Sequence, residues 1–157
     1  MDGTTSNLGP RGSAKWGDAR LAGFQSVPDV LFIKQQALGL DPVDVVVLLN
    51  LTLFWWFRDQ PPFPRSSIIA QRMGVSARTV QRVFKKLELL GYIRREQWRD
   101  ADGNIKPAIY LDGLLDALAK AVGSDPILRK RMDDAAALPR AESVITEDAA
   151  PAWRQAS

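Results

Sequence analysis

Between Arg78 and Lys86 five side chains are basic or amide: Arg78, Gln81, Arg82, Lys85 and Lys86. Among them Val80, Val83 and Leu87 recur at helical spacing. Such a stripe faces a core and turns the basic and amide side chains outward. An arginine fork matches the acceptor pair on a guanine edge, and a glutamine amide matches adenine. Each pairing is worth ~1–3 kcal/mol of discrimination, and a major groove about 12 Å wide admits one helix. The pattern predicts base contacts from Ala77, Arg78, Gln81, Arg82 and Lys85. Hydroxyls, helix N-termini and further cations suit phosphate oxygens. That chemistry predicts phosphate contacts from Arg65, Ser66, Ser67, Thr79, Lys86, Arg94, Arg95, Arg99 and Lys106. Double-stranded DNA is the partner these types imply.

These residues need elements to hold them. Ser66 or Ser67 can cap a short helix, Ile68 to Met73, and Gly74-Val75-Ser76 forms a three-residue turn with Val75 in its corner. Ser76 caps the next helix, Thr79 can return a bond to that cap, and Gly91 ends the helix after Leu90. The stripe Val80, Val83 or Phe84, Leu87 and Leu90 locks this helix to the first. Tyr92 to Trp98 reads as a strand, Asp100 to Asn104 as a hairpin loop with an Asp-Gly signal, and Ile105 to Leu111 as the return. Pro107 confines the return strand to an edge or bulge. Ile93 and Tyr110 are expected to point inward, and alternation sends Arg94 and Arg95 to opposite faces. Asp112 is expected to cap a closing helix with Leu114, Leu115, Leu118 and Val122 on one stripe, and Glu88 to pair with Lys85.

Upstream, Pro28-Asp29 opens a helix within Phe24 to Leu38 that Gly39 ends. Asp41, Pro42 and Asp44 begin another helix that runs to about Phe57 and, being apolar almost all round, is expected to be buried. Trp55 and Trp56 must face different ways, one into the core and the other into the core or a dimer contact. Gln60 to Pro64 is a loop, and Asp125-Pro126 opens a short helix through Leu138. The division expected is a flexible segment 1–23 with Trp16 as an isolated anchor, a domain over 24–122, and a short helix with a flexible tail over 123–157. The fold class is mainly α with a small β-hairpin: an α+β winged helix-turn-helix with disordered terminal tails.

Composition is consistent with that reading. Net charge is only +3, yet Arg65 to Lys106 holds ten bases against four acids, a local +6 that leaves −3 for the remainder. Charge so placed suits a polyanion. There is no histidine to act as the commonest general base and no cysteine nucleophile or thiolate ligand. The close carboxylates Asp100 with Asp102 and Asp133 with Asp134 lie in a predicted turn and in a tail. These features argue against an enzyme and imply no cofactor and no small-molecule ligand. The longest apolar runs, 45–49 and 51–57, fall short of the ~20 residues of a membrane span, and no secretory h-region opens the chain. A cytoplasmic protein is expected.

The stretch PPFPRSSIIAQRMGVSARTVQRVFKKLELLGYIRRE with the closing IYLDGLLDAL resembles bacterial winged helix-turn-helix proteins, found among transcription regulators and plasmid or phage replication proteins. The resemblance spans roughly Phe24 to Val122 and departs at Pro107-Ala108-Ile109, where polar or basic residues would be expected. It implies sequence-specific duplex binding through the second helix, a homodimer, and a nucleoid-associated place in the cytoplasm. Transcription regulation is the role expected. A plasmid or phage replication initiation or accessory protein is the alternative, and a winged-helix protein-docking module is the alternative of another class.

Overall fold

The structure is a computed structural model that describes residues 13–55 and 61–137. One compact unit is Pro28–Met132; the described residues 13–27 and 133–137 belong to a second. The tails expected to be disordered fall partly on 1–12 and 138–157, outside the described residues, as does Trp56. Ser13–Ala22, expected to lack structure, forms 3-10 turns kinked at Gly17. Trp16 within it is 60 % exposed and carries Lys15 over its ring, so it anchors nothing there.

The main unit is built from α1 (Asp29–Ile33), α2 (Pro42–Thr52), α3 (Ser66–Met73), α4 (Ala77–Leu89), β1 (Arg94–Arg99), β2 (Ile105–Tyr110) and α5 (Asp112–Ser124). A further helix, α6 (Pro126–Ala136), follows Asp125, whose Oδ1 accepts the amides of Ile127 and Leu128 as a cap. The architecture is mainly helical with one two-stranded antiparallel hairpin, a winged-helix-like arrangement. Helix α4 packs on α3 and α2, and α1 packs on α5. Leu48 and Leu51 of α2, Ile69 of α3, and Val80 and Leu87 of α4 are almost wholly buried. Each such side chain is worth about 1.5–3 kcal/mol of burial.

Local signals set most boundaries. Asp41 Oδ1 accepts the Asp44 amide at 3.0 Å and Asp44 Oδ2 accepts the Asp41 amide at 2.8 Å, a reciprocal capping box. Gly74 and Gly91 both take left-handed backbone. At each, the following amide (Val75 to the Ala70 carbonyl, Tyr92 to the Leu87 carbonyl) closes the helix end. Ile109 N–H donates to the Pro62 carbonyl at 2.9 Å, on the outer edge of β2. Strand amides alternate sides, so Pro107 has its nitrogen on that same edge and costs the ladder no bond.

Several expectations are corrected. The first helix covers only Asp29–Ile33 and continues as turns to Gly39. Helix α2 stops at Thr52: Asn50 and Thr52 donate from their side chains to the Val46 and Leu49 carbonyls, and i→i+3 bonds tighten the chain through Trp55. It is not buried all round, since Val43 and Val46 lie exposed on one side. Ser66 and Ser67 lie inside α3, and Arg65 holds the cap position without a side-chain bond. Asp112 is likewise the first residue of α5, after Leu111 at the cap. Leu90 is 40 % exposed and leaves the core stripe to Val80, Val83, Phe84 and Leu87. Ile93 is buried as expected, whereas Tyr110 is half-exposed beneath the Arg94 guanidinium, 4.4 Å from its ring centre.

Candidate nucleic-acid interface

The outer face of α4 is where the predicted base-contact residues gather. Ser76 caps the helix, accepting the Thr79 amide at 3.1 Å, and the two hydroxyls lie 2.9 Å apart. With Val80, Val83, Phe84 and Leu87 buried, Ala77, Arg78, Gln81, Arg82 and Lys85 are all exposed. Arg78, Arg82 and Lys85 stand at i, i+4 and i+7 and form one stripe. Among the described residues none of these three has a hydrogen-bond or ion-pair partner. Arg65, at the start of α3, is exposed and unpaired in the same sense.

The remaining cations are committed. Lys86 Nζ contacts Asp44 Oδ2 and lies 3.4 Å from Asp41 Oδ2, so it binds both members of the α2 capping box. Asp44 is only 1 % exposed. The Asp44 contact, ahead of the Asp41 charge, holds the Lys86 ammonium above its ordinary pKa. The Asp44 amide, ahead of Lys86, holds Asp41 below its own. Asp41's contribution to stability is therefore present above the unfolded carboxylate pKa and is lost as pH falls through the lower folded value. Lys86 contributes below its unfolded pKa and loses that contribution as pH rises through the raised folded value.

The hairpin is close to electrically neutral. Arg94 pairs with Glu96, Arg95 with Glu88 at 2.5 Å, and Lys106 with Asp100 at 3.0 Å. Glu88 thus pairs with Arg95 and not with Lys85. Arg99 has no acidic partner among the described residues and donates to the Gly103 carbonyl at 2.8 Å. Arg94 and Arg95 do take opposite faces, one over Tyr110 and the other toward α4. Asp100 organises the loop by accepting the amides of Asp102 and Asn104, which accounts for the Asp100 carboxylate as turn chemistry. Phe63 and Trp98 stack with ring centres 6.5 Å apart, and Lys106 lies over Phe63 at 5.4 Å. No spacing signal marks that pair, because loop and strand meet only in three dimensions.

The commitment of Lys86 gives a measurable expectation. Lys86→Met removes the counter-charge of a buried carboxylate. Stranding a buried charge costs about 3–5 kcal/mol, but Lys86 is 40 % exposed and water can fill in, so a loss of about 1–3 kcal/mol is expected in urea unfolding. Duplex affinity of the folded variant should stay within about twofold, since a phosphate ligand worth ~1 kcal/mol or more would exceed that.

Among the described residues no helix is long and apolar enough to cross a membrane. No group of three or more carboxylate, histidine or cysteine side chains converges there to hold a metal ion.

Among solved structures, the crystal structure of the N-terminal domain of the DnaD protein from Geobacillus kaustophilus HTA426 is similar, with a TM-score of 0.51 at 22 % identity. The match covers 81 % of this chain and 99 % of that one, and supports the fold. A protein from Methanosarcina mazei Go1 described as a possible transcriptional regulator matches with a TM-score of 0.40 at 21 % identity, covering 69 % of this chain and 83 % of that one. No curated protein sequence matches the chain. Residues 27–126 match the DnaD N-terminal domain family, a span from just before α1 to the start of α6, and the chain belongs to that family.

Proposed function

We propose that this protein binds double-stranded DNA, with the outer face of α4 in the major groove and flanking phosphates met from the start of α3 and the hairpin. The observation that carries this reading is the stripe Arg78, Arg82 and Lys85, exposed and without acidic partners among the described residues. Like charges at i, i+4 spacing destabilise a helix by about 0.2–0.5 kcal/mol per pair. A polyanion removes that cost and releases its own counterions on contact. A docking module has no use for such a stripe.

Ala77, Arg78, Arg82 and Lys85 are the base-facing set, with Arg65, Ser67 and Thr79 on phosphates. Pairing of Arg94 and Lys106 with acids leaves Arg99 as the hairpin cation best able to reach a phosphate. A homodimer would set two α4 helices on half-sites about 34 Å apart, hence on a palindrome. The exposed Val43 and Val46 of α2, with Leu53 just after it, are available for such pairing. Membership in the DnaD N-terminal domain family favours a replication accessory role over transcription regulation. Titration of short duplexes between 50 and 200 mM salt tests the reading. Log affinity should fall linearly with log salt, with a slope of about −3 to −4 if Arg65 and Arg99 of both protomers meet phosphates. A salt-independent affinity, or none, would sink it.

A further inference from the structure

We propose that Gln81 is a positioning residue, the middle of a strut that fixes the hairpin against α4, and that Arg95 is the far end of that strut and not a phosphate ligand. Its consequence for DNA rests on the reading above; the strut itself does not.

Both ends of the Gln81 amide are in use. Nε2 donates to Ser66 Oγ at 2.7 Å, and Oε1 accepts from Arg95 Nη1 at 3.4 Å. The orientation is forced: arginine only donates, so the carbonyl end must face Arg95 and the NH₂ end Ser66. To read adenine, glutamine must turn both ends toward one base edge. Here they point to α3 and to β1, and reading would forfeit both bonds. Arg95 is spent in the same way. Its Nε donates to Glu88 Oε1 at 2.8 Å and its Nη2 to Glu88 Oε2 at 2.5 Å, a bidentate pair. That pair holds the Glu88 carboxyl below and the Arg95 guanidinium above their ordinary values.

The chain of contacts therefore runs Ser66, Gln81, Arg95, Glu88, joining the first turn of α3, two turns of α4 and the first strand of the hairpin. A two-stranded hairpin is marginal alone and needs such ties to hold an angle. Backbone bonds from Tyr92 and Ile93 to the Leu87 carbonyl tether its base. The strut spans Gln81 to Glu88, nearly two turns of α4, beside the stripe of Arg78, Arg82 and Lys85. It presents α3, α4 and the hairpin to a partner as one preorganised surface, with base reading left to the arginines.

Gln81→Ala and Gln81→Glu decide the matter. In the free protein, Gln81→Ala should speed hydrogen exchange at the Arg95 Nε–H and the β1 amides by about two- to tenfold, the range one or two exposed hydrogen bonds supply. Gln81→Glu should retain protection, since a carboxylate accepts from both the Ser66 hydroxyl and Arg95. Selection of sites from random duplexes should return the wild-type sequence for Gln81→Ala, with affinity lowered for all duplexes alike. Unchanged exchange in Gln81→Ala, or a base preference altered at one position, would overturn the assignment. If the wild-type protein bound no duplex, the functional reading would fall, and the exchange measurement would still decide the strut.

Discussion

Gly113→Ala should unfold far more readily than the wild-type protein. A Cβ at Gly113 would stand 1.8 Å from the Gly91 carbonyl oxygen and 2.9 Å from its carbon. Both are backbone atoms, held in the left-handed turn that ends α4, so neither can rotate away. The adjacent Leu114 amide donates to the Tyr92 carbonyl at 2.9 Å, and this close approach is what lets α5 close the domain behind the hairpin. An added methyl must push α5 off the turn by more than 1 Å, which breaks that bond and loosens the burial of Leu114 and Leu118. Overpacking costs about 1–3 kcal/mol and the lost hydrogen bond about 1 more, against about 1 regained from the helix propensity of alanine. A net loss of about 1–3 kcal/mol is expected, roughly 4–12 °C in melting temperature for a domain of this size. Gly123→Ala, also in α5, is the control. Its Cβ meets nothing within 4 Å, so it should be neutral or stabilising by up to about 1 kcal/mol. Equal melting of Gly113→Ala and wild type would show that α5 is not seated on the Gly91 turn.

The contrast between these two glycines shows what the sequence could convey. Nothing local distinguishes Gly113 from Gly123; the difference lies in which backbone lies across from each. Signals confined to four or five residues are legible. Asp41-Pro42-Val43-Asp44 implies its helix start, Gly74 and Gly91 imply their helix ends, and Asp102-Gly103 implies the hairpin, all as found. The α4 stripe reads correctly through Leu87 because four buried side chains share one period. Leu90 fails because Gly91 turns the chain before that period can continue. Side-chain commitments across the fold are not legible. Lys86 looks like any other base on α4 until α2 brings Asp41 and Asp44 beside it. Gln81 looks free until Ser66 and Arg95 take its two ends. A basic segment can be counted from composition, but which of its charges remain uncompensated depends on where Glu88, Glu96 and Asp100 fall in space.

Arg78→Ala with Arg82→Ala should lower duplex affinity by roughly a hundredfold at fixed salt. The two side chains stand one turn apart on the exposed stripe and have no partner among the described residues, so their removal breaks nothing inside the fold. Alanine is the best helix former, and unfolding should shift by no more than about 0.5 kcal/mol. Loss of binding would therefore report contact and not collapse. A base-contacting arginine is worth about 1–3 kcal/mol, and two at the lower half of that range give the factor expected. The separate variants divide the roles. A side chain that reads a base alters the selected sequence at one position, whereas one that meets only phosphate weakens all sites alike and makes the salt slope shallower by about one. Arg94→Ala is the matched comparison, a cation of equal charge already neutralised by Glu96. Its loss should change affinity less than threefold, because phosphate would first have to displace the carboxylate. If Arg94→Ala cost as much as the α4 pair, the partner would be responding to total charge on the surface, and the unpaired stripe would not be the site.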